Sequence, residues 1–365
     1  MTENRRNIVA HHSLRGIAAL LVVFYHMKDI SHDKGAAIDS MTGFFSKGYI
    51  WVDMFFILSG FILSFVYMQS MASSPYSFIK QKEFIISRVS RIYPLHLATL
   101  VSLVVINGLS YYLLDLESFF NERKSIESLS TNIFLLHGWG FHETNTWNIP
   151  SWSISAEMFA YIIFPVLIVS YSKSSLLANI VYFLISVAMY VFIFINYENV
   201  EGGADTNILR CMSGFLLGMV MFNVYDKVGS GSVVLVSIMQ VVAVIGLFVV
   251  LHYNYHDSLT ILCFVILIYF TSDNKGVLFP VMSLRPLVYL GTLSYSIYLV
   301  HWLVYEIYWL YGKFIFTYLA SMYSPFNVTA LKYSLFFITS LILSFLSYKY
   351  IEMPAQKYIR SKRKK

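Results

Sequence analysis

The sequence is poor in charge and in cysteine. Only 13% of its 365 residues are charged, whereas soluble domains carry about 25%, and this deficit excludes an ordinary soluble protein. The two cysteines, Cys211 and Cys263, both lie in apolar stretches, so we expect small core residues rather than a disulfide or a metal pair. The chain also lacks a Gly-rich phosphate loop, an internal repeat and a Gly/Ser linker, so we expect one domain that does not hold its ligand as a nucleotide-binding fold does.

Hydrophobic residues make up 57% of the chain, and apolar runs of about twenty residues recur from end to end, as in polytopic membrane proteins. We therefore predict an all-α membrane helical bundle. The first run contains Arg15 and His26 and has no small-residue cleavage site after it, so we expect a retained span rather than a signal peptide. The apolar segments lie at about 13–30, 48–69, 92–114, 127–139, 153–172, 176–196, 207–225, 233–252, 258–271, 287–311 and 329–351.

Basic residues in the connections orient these segments. Cytoplasmic loops carry an excess of Lys and Arg, so Arg5, Arg6, the connection 70–91 and the basic tail 357–365 are predicted to lie in the cytoplasm. The acidic loop 197–206 suits the outer side. With both termini inside, the number of crossings must be even.

The apolar segment at 127–139 is therefore predicted not to cross. It is short and is followed by Gly138-Trp139-Gly140, so we expect a re-entrant or outer-face helix and ten transmembrane helices. The predicted organisation is a transmembrane domain over 1–356 and a basic cytoplasmic tail over 357–365. An apolar span directly precedes this tail, which favours contact with membrane lipids over contact with nucleic acid.

The first span carries Arg15 at one end and His26 well inside it. The two residues are eleven positions apart, which places both on one helix face and about 16 Å apart along the axis. A cation at the mouth of a membrane helix and a titratable group at depth on the same side indicate a lined path rather than plain packing.

Three further ionisable residues, Asp53, Glu157 and His301, are predicted to share the depth of His26 in the outer half of the bilayer. Burying such groups costs on the order of a few kcal/mol each, so their coincidence indicates chemistry. Alternatives stay open for each residue. The histidines suit a hydrogen-bonded role in helix packing, and the carboxylates suit a position near a helix N-terminus.

Hydroxyl groups accompany two of these residues. Ser153 precedes Glu157 by four positions, and Ser294, Tyr298 and His301 are spaced by four and three, so each set shares a helix face. The two serine hydroxyls either orient the neighbouring carboxylate and imidazole or bond to the backbone of the preceding turn.

Arginines form a second layer at the predicted inner face. Arg88 and Arg91 open the third span at the same face as Arg15. Guanidinium forks suit a phosphate-bearing ligand. Ordinary positive-inside anchoring is the alternative interpretation.

Together these motifs resemble the acyltransferase type 3 family of membrane proteins. The resemblance rests, in the order of the family, on Arg15-x10-His26, the stretch 53–60, Arg88-x-x-Arg91-Ile92-Tyr93-Pro94, and the stretches 150–157 and 293–301. Members are bacterial inner-membrane O-acyltransferases, which most often O-acetylate O-antigen lipopolysaccharide, exopolysaccharide, Nod factor or peptidoglycan. Some carry a further periplasmic esterase-like domain, which we do not expect here because the chain ends just after its tenth span.

The resemblance implies roles for the matching positions. Arg15 and His26 match the essential pair, Arg88 and Arg91 the cytoplasmic motif, and Glu157 the Ser-x-x-x-Glu position. The function that follows is transfer of an acetyl group from cytoplasmic acetyl-CoA to a hydroxyl of a periplasmic-side glycan. A proton-coupled transporter of a sugar or small metabolite is the alternative.

Within this predicted reaction, His26 is the general base, and Glu157 or Asp53 fixes its tautomer. The three arginines hold the phosphates of CoA, and no metal is expected. Five residues are predicted to contact the substrate, with interfacial anchoring as the alternative for the tryptophans; they are Ser153, Trp152, Trp147, Tyr298 and His301.

Overall fold

The computed structural model describes residues 8–30, 39–72, 77–114, 121–173 and 175–362. Arg5, Arg6 and the end of the basic tail (363–365), which contribute to the predicted orientation, lie outside the described residues. The regular structure of the described residues is entirely helical, without a β-strand. This agrees with the predicted all-α bundle.

Thirteen α-helices follow one another through the described residues. In chain order they are α1 (Val9–Met27), α2 (Trp51–Ala72), α3 (Phe78–Leu114), α4 (Ile126–Ile133), α5 (Trp152–Lys173), α6 (Ser175–Asn196), α7 (Asn207–Val228), α8 (Val233–His252), α9 (Asp257–Phe270), α10 (Phe279–Met282), α11 (Arg285–Met322), α12 (Pro325–Ser347) and α13 (Met353–Lys362). Short 3-10 turns precede α2 (Gly48–Ile50) and α5 (Ile149–Ser151), and a π-helical turn (Tyr348–Glu352) joins α12 to α13.

Eight of the described helices are long and apolar enough to cross a membrane, namely α2, α3, α5, α6, α7, α8, α11 and α12. The chain is therefore a multi-pass membrane protein. Helices α1 and α9, with 19 and 14 residues, occupy two further predicted spans but do not meet the same requirement for length and hydropathy. The count of ten transmembrane helices stays a prediction.

The segment predicted not to cross contains α4. Its eight residues extend about 12 Å, well short of a hydrocarbon core about 30 Å thick. A reciprocal cap closes its first turn, because the Ser125 hydroxyl accepts from the Ser128 N–H at 3.0 Å and the Ser128 hydroxyl accepts from the Ser125 N–H at 2.9 Å. The helix does not reach residue 139, since Leu135 adopts a left-handed conformation with φ of 56°.

The chain after α4 folds back onto α3 through a pair of buried histidines. The rings of His96 and His137 stack with centroids 5.7 Å apart. His96 Nε2 lies 2.8 Å from the Asn132 carbonyl, and His137 Nε2 lies 2.9 Å from the Ser151 hydroxyl. Burial, and secondarily the neighbouring His96, lower the pKa of His137 to about 3. His137 is therefore neutral at physiological pH and fastens this connection to the bundle.

Two helices are longer than the apolar segments that predicted them. Helix α3 begins at Phe78 rather than near residue 92, and α11 continues to Met322 rather than ending near residue 311. Charged and polar residues such as Lys80 and Lys82 occupy the extra turns. Hydropathy identifies only the apolar part of a helix, so it did not predict these polar extensions.

Helix α1 packs against α11 more extensively than any other pair of described elements pack. The two backbones approach closely where Gly16 faces Gly291. A Cβ atom at Gly291 would collide with the backbone of His12, and one at Gly16 would collide with the backbone of Gly291. Close contact through small residues is the usual basis of helix association in membranes, where lipid removes most of the hydrophobic driving force.

Replacing Gly291 by alanine is expected to lower the free energy of unfolding by about 2 kcal/mol, because the added methyl group overpacks the contact with His12. The measurement is the thermal unfolding midpoint of the protein purified in detergent. Gly312→Ala on the same helix is the matched control, since its Cβ would meet mainly the ring of Phe316. Equal destabilisation by both variants would contradict the assignment of this contact.

Candidate active site

The three arginines that sequence analysis grouped together line one pocket, which we call the arginine pocket. Arg15 reaches it from α1, and Arg88 and Arg91 reach it from α3. Glu157 and Tyr161 of α5 line it as well. Its empty volume is about 750 Å³ including the open mouth. The spacing of the two arginine motifs thus brings the cationic groups of two helices to a single cavity.

These arginines have no direct counter-ion. Among the described residues, none of the three forms an ion pair within 4.0 Å. Arg88 donates only to the hydroxyls of Tyr67 and Ser87, both at 3.3 Å, and its buried Nε atom has no partner within the described residues. Guanidinium groups held in a cavity without a carboxylate partner favour the binding of an anion with several oxygens.

Glu157 lies in the arginine pocket rather than beside His26. Its carboxylate accepts a hydrogen bond from the Ser59 hydroxyl, and it acts electrostatically on Arg15. A second carboxylate, Glu352, accepts from the Ser296 hydroxyl at 2.8 Å and acts electrostatically on the same arginine. The two carboxylates moderate the positive charge of the cavity without neutralising it at contact distance.

A second cavity, which we call the histidine pocket, surrounds His26. Its empty volume is about 780 Å³ including the open mouth. Residues of α1, α2, α5, α7, α11, the turn before α2 and the connections before α5 and α7 form its walls. Side chains that bear on its chemistry are Tyr25, His26, Tyr49, Asn145, Trp152, Glu201, Asn207, Arg210 and Tyr298.

Inside this second cavity, His26 is paired with another histidine. His26 Nδ1 lies 3.2 Å from His301 Nε2 and 3.1 Å from the Val22 carbonyl. His301 Nδ1 lies 3.0 Å from the Ile297 carbonyl. The ring of Trp302 meets His26 edge-on with centroids 5.2 Å apart. The structure therefore gives His26 a histidine partner where the sequence predicted a carboxylate.

The partners of the two imidazoles define their tautomers. Carbonyl oxygens only accept hydrogen bonds, so the protons of neutral His26 and His301 are assigned to Nδ1. His301 Nε2 then accepts from His26 Nδ1. No described residue binds His26 Nε2, which leaves its lone pair available. An imidazole with a bare nitrogen and a fixed opposite N–H has the arrangement of a general base.

Tyr298 is the one described residue that lines both pockets. Its hydroxyl lies 2.8 Å from the Ser153 hydroxyl and donates to the Pro150 carbonyl at 3.0 Å. Its ring meets Phe55 with centroids 5.7 Å apart and lies 6.1 Å from the ring of His301. Two predicted substrate contacts, Ser153 and Tyr298, thus bind each other at the boundary between the cavities.

Asp53 is engaged in a fully buried ion pair. Arg210 of α7 donates to Asp53 Oδ2 from Nη2 at 2.7 Å and from Nε at 3.1 Å, and also to the Tyr49 carbonyl at 2.8 Å. The exposed fractions of the two side chains are 0% and 1%. No hydrogen bond joins Asp53 to His26 among the described residues. The geometry therefore gives Asp53 a place in helix packing between α2 and α7.

The two predicted tryptophans occupy different environments. Trp152 lines the histidine pocket, and the guanidinium of Arg210 lies 5.2 Å from its ring centre. Trp147 is 1% exposed and lines neither pocket. Its indole N–H donates to the Ser128 hydroxyl at 3.1 Å, and its carbonyl accepts from Trp302 at 3.2 Å. Trp147 therefore belongs to the core beneath α4 and has no face free for a sugar ring.

Comparison with known proteins identifies the type of domain. A family model for an acyltransferase domain matches residues 11–349. The chain belongs to the acyltransferase type 3 family. All five motif regions named above lie inside the matched range, and so do both pockets of this acyltransferase domain.

Curated relatives extend beyond the region shared with this acyltransferase domain. A protein of Staphylococcus aureus strain COL, whose name marks it as a proposed O-acetyltransferase, is 25% identical over 94% of this chain and 56% of its own. A peptidoglycan O-acetyltransferase of Listeria monocytogenes is 24% identical over 82% of this chain and 49% of its own. The chain thus spans about half the length of the curated relatives it matches. No solved structure matches it.

Three residues of this acyltransferase site were missed by sequence reasoning. Arg210 stands four residues into an apolar helix, and the cost of an unpaired charge there was a usable signal for a partner such as Asp53. Glu201 and Glu352 gave no such signal. They lie in an acidic connection and near a helix end, where a charged residue is ordinary.

Asp53→Asn is expected to lower the yield of folded protein sharply, because loss of one partner of a buried ion pair costs about 3 to 5 kcal/mol. Asp53→Asn combined with Arg210→Gln removes both charges and should restore most of that yield. Fluorescence-detected size-exclusion chromatography of membrane extracts measures the effect.

Asp39→Asn is the control for this pair. Asp39 pairs with Lys28 at 3.2 Å while 30% exposed, so its loss should change the yield little. If Asp53 were catalytic instead, Asp53→Asn would still fold, and the double variant with Arg210→Gln would not recover acetyl transfer.

Proposed function

We propose that this protein is a membrane O-acetyltransferase. It binds acetyl-CoA in the arginine pocket on the cytoplasmic side and transfers the acetyl group to a hydroxyl of a glycan in the histidine pocket on the outer side. One observation carries the proposal. Guanidiniums without an ion pair among the described residues line one cavity, a bare imidazole nitrogen lies in another, the two cavities share Tyr298, and α1 contributes Arg15 to the first and His26 to the second.

The donor site follows from charge and length. The phosphates of CoA are multivalent anions, and they suit Arg15, Arg88 and Arg91, which have no ion pair of their own among the described residues. The pantetheine arm then runs along α1, where Arg15 and His26 stand about 16 Å apart. That distance is comparable with the extended length of the arm, so the thioester reaches the boundary at Tyr298.

Transfer requires one proton acceptor and one leaving group. The acceptor hydroxyl oxygen attacks the thioester carbonyl carbon while His26 Nε2 takes the hydroxyl proton. The tetrahedral intermediate collapses as the C–S bond breaks, and the imidazolium returns the proton to the CoA thiolate. During the step His301 Nε2 accepts from the charged His26 ring and so stabilises the imidazolium, the role that a carboxylate has in Ser-His-Asp triads. An acetyl-His26 intermediate is the two-step version of the same chemistry.

The proposed setting is the cytoplasmic membrane of a bacterium, with both termini in the cytoplasm. Acceptors of the right chemistry are lipid-linked or surface glycans such as O-antigen lipopolysaccharide or exopolysaccharide. Peptidoglycan is the acceptor in the name of the Listeria monocytogenes relative. The acetyl group and the glycan class are parts of the proposal that the following variants test together with the donor site.

Arg88→Ala is expected to raise the KM for acetyl-CoA by about ten- to one-hundredfold, because a charge-assisted hydrogen bond to phosphate is lost. Labelled acetyl transfer in membrane vesicles measures it, alongside direct binding of acetyl-CoA to the purified protein. Arg285→Ala is the matched control, since Arg285 is exposed at the start of α11 and lines neither pocket. Unchanged acetyl-CoA binding in Arg88→Ala would contradict the donor site and favour a transporter.

His26→Ala is expected to abolish acetyl transfer while leaving acetyl-CoA binding intact, because the arginine pocket does not include His26. His301→Ala should reduce the turnover number by about one-hundredfold through loss of the orienting acceptor. His301→Gln keeps an acceptor for His26 Nδ1 and should recover part of the rate. Equal rates in the two His301 variants would refute the positioning role of His301.

A further inference from the structure

The histidine pocket contains one carboxylate that no described cation neutralises. Asp53 is paired with Arg210 at 2.7 Å, and the nearby Asp257 is paired with Lys47 at 2.7 Å. Glu201 lines the same cavity, yet no ion pair within 4.0 Å includes it among the described residues. Arg210 lines the cavity too, but its charge is paired with Asp53, so Glu201 is the carboxylate that faces an entering ligand without an ion pair among the described residues.

The exposed carboxylate of Glu201 is linked to the candidate base through the neighbouring Tyr25. Its Oε1 atom accepts from the Tyr25 hydroxyl at 3.3 Å, and the Tyr25 ring lies 4.9 Å from the ring of His26. The backbone of the connection is fixed as well. The Val200 N–H donates to Asp257 at 2.9 Å, and the Glu201 N–H donates to the Asn199 side chain at 2.9 Å.

Neutral polar groups and aromatic rings complete the wall. The Asn207 amide donates to Asn145 Oδ1 at 2.9 Å. The Asn145 amide nitrogen and the Asn207 amide oxygen make no side-chain hydrogen bond among the described residues, so these two pocket-lining groups supply both donors and acceptors for a ligand. Tyr25 and Tyr49 offer ring surface, with centroids 6.0 Å apart. Aromatic rings can stack on the face of a sugar, and amides and a carboxylate can bind its hydroxyls, so this wall suits a polyhydroxylated ring compound.

We infer that Glu201 makes the histidine pocket selective for neutral or amino sugars and against sugars that carry a carboxylate. An ionised carboxylate only accepts hydrogen bonds, so it binds sugar hydroxyls or an ammonium group and repels a uronate. The inference rests on the proposed function, since it concerns the acceptor of that reaction. Tyr25 contacts both Glu201 and His26. We therefore expect one sugar residue of the glycan to bind Glu201 with one of its groups and to present another hydroxyl to His26.

The test compares three acceptors of equal size. Purified protein in detergent receives labelled acetyl-CoA with the methyl glycoside of glucose, of glucosamine or of glucuronic acid. We expect the glucoside and the glucosaminide to be acetylated with a kcat/KM at least about tenfold above that of the glucuronide, as for one hydrogen bond to a charged group. Glu201→Gln should raise the KM for the glucoside and the glucosaminide and bring their kcat/KM closer to that of the glucuronide. Glu201→Lys should make the glucuronide the better acceptor.

Glu198→Gln is the matched control. It removes the same charge from the same connection, and Glu198 does not line the pocket. If Glu201→Gln and Glu198→Gln behave alike, or if wild-type protein uses the glucuronide as well as the glucoside, the inference is overturned while the proposed function stands. Absence of transfer to all three glycosides would overturn the proposed function and this inference with it.

Discussion

Backbone contact between α1 and α11 is the constraint on which the site depends. Gly16 and Gly291 let the two helices meet without side chains between them, and the same approach brings His26 to within 3.2 Å of His301. A Cβ at either position would collide with the backbone of the facing helix and force the helices apart. In lipid, packing rather than hydrophobic burial drives helices together. The close contact at the two glycines therefore supports the pairing of His26, the proposed general base, with His301.

The structure uses arginine in two opposite ways. Arg210 donates to the Asp53 carboxylate and the Tyr49 carbonyl in the core, so its charge is paired within the fold. Arg15, Arg88 and Arg91 line a cavity and form no ion pair among the described residues. An unpaired charge is costly in a low-dielectric interior. The ion pair with Asp53 offsets this cost for Arg210, and the anion that we propose to bind in the arginine pocket would offset it for the other three arginines.

Sequence periodicity and hydropathy predict the all-helical membrane bundle, the common face of Arg15 and His26, and the grouping of the three arginines. The first two features depend on hydropathy and on the rise and twist of single helices, which are local. The third follows from the positive-inside rule, which assigns the arginines of both helices to one side of the membrane. The partners of His26, Asp53 and Glu157 depend on how each helix is rotated about its axis within the bundle, and one sequence carries no measure of that rotation. The burial of Trp147 could not be predicted from the sequence either. A tryptophan near a span end is expected to contact lipid or sugar, but the chain after α4 folds back and buries this one.

The position of Tyr298 has a consequence for the membrane itself. A continuous channel wide enough for a pantetheine arm would conduct protons and small ions and would collapse the membrane potential. Here the two cavities meet at one aromatic ring, whose hydroxyl is tied to Ser153 and to the Pro150 carbonyl. If the acyl donor crosses between the cavities as we propose, an interruption at Tyr298 would limit the leak of ions through that path while no donor is bound.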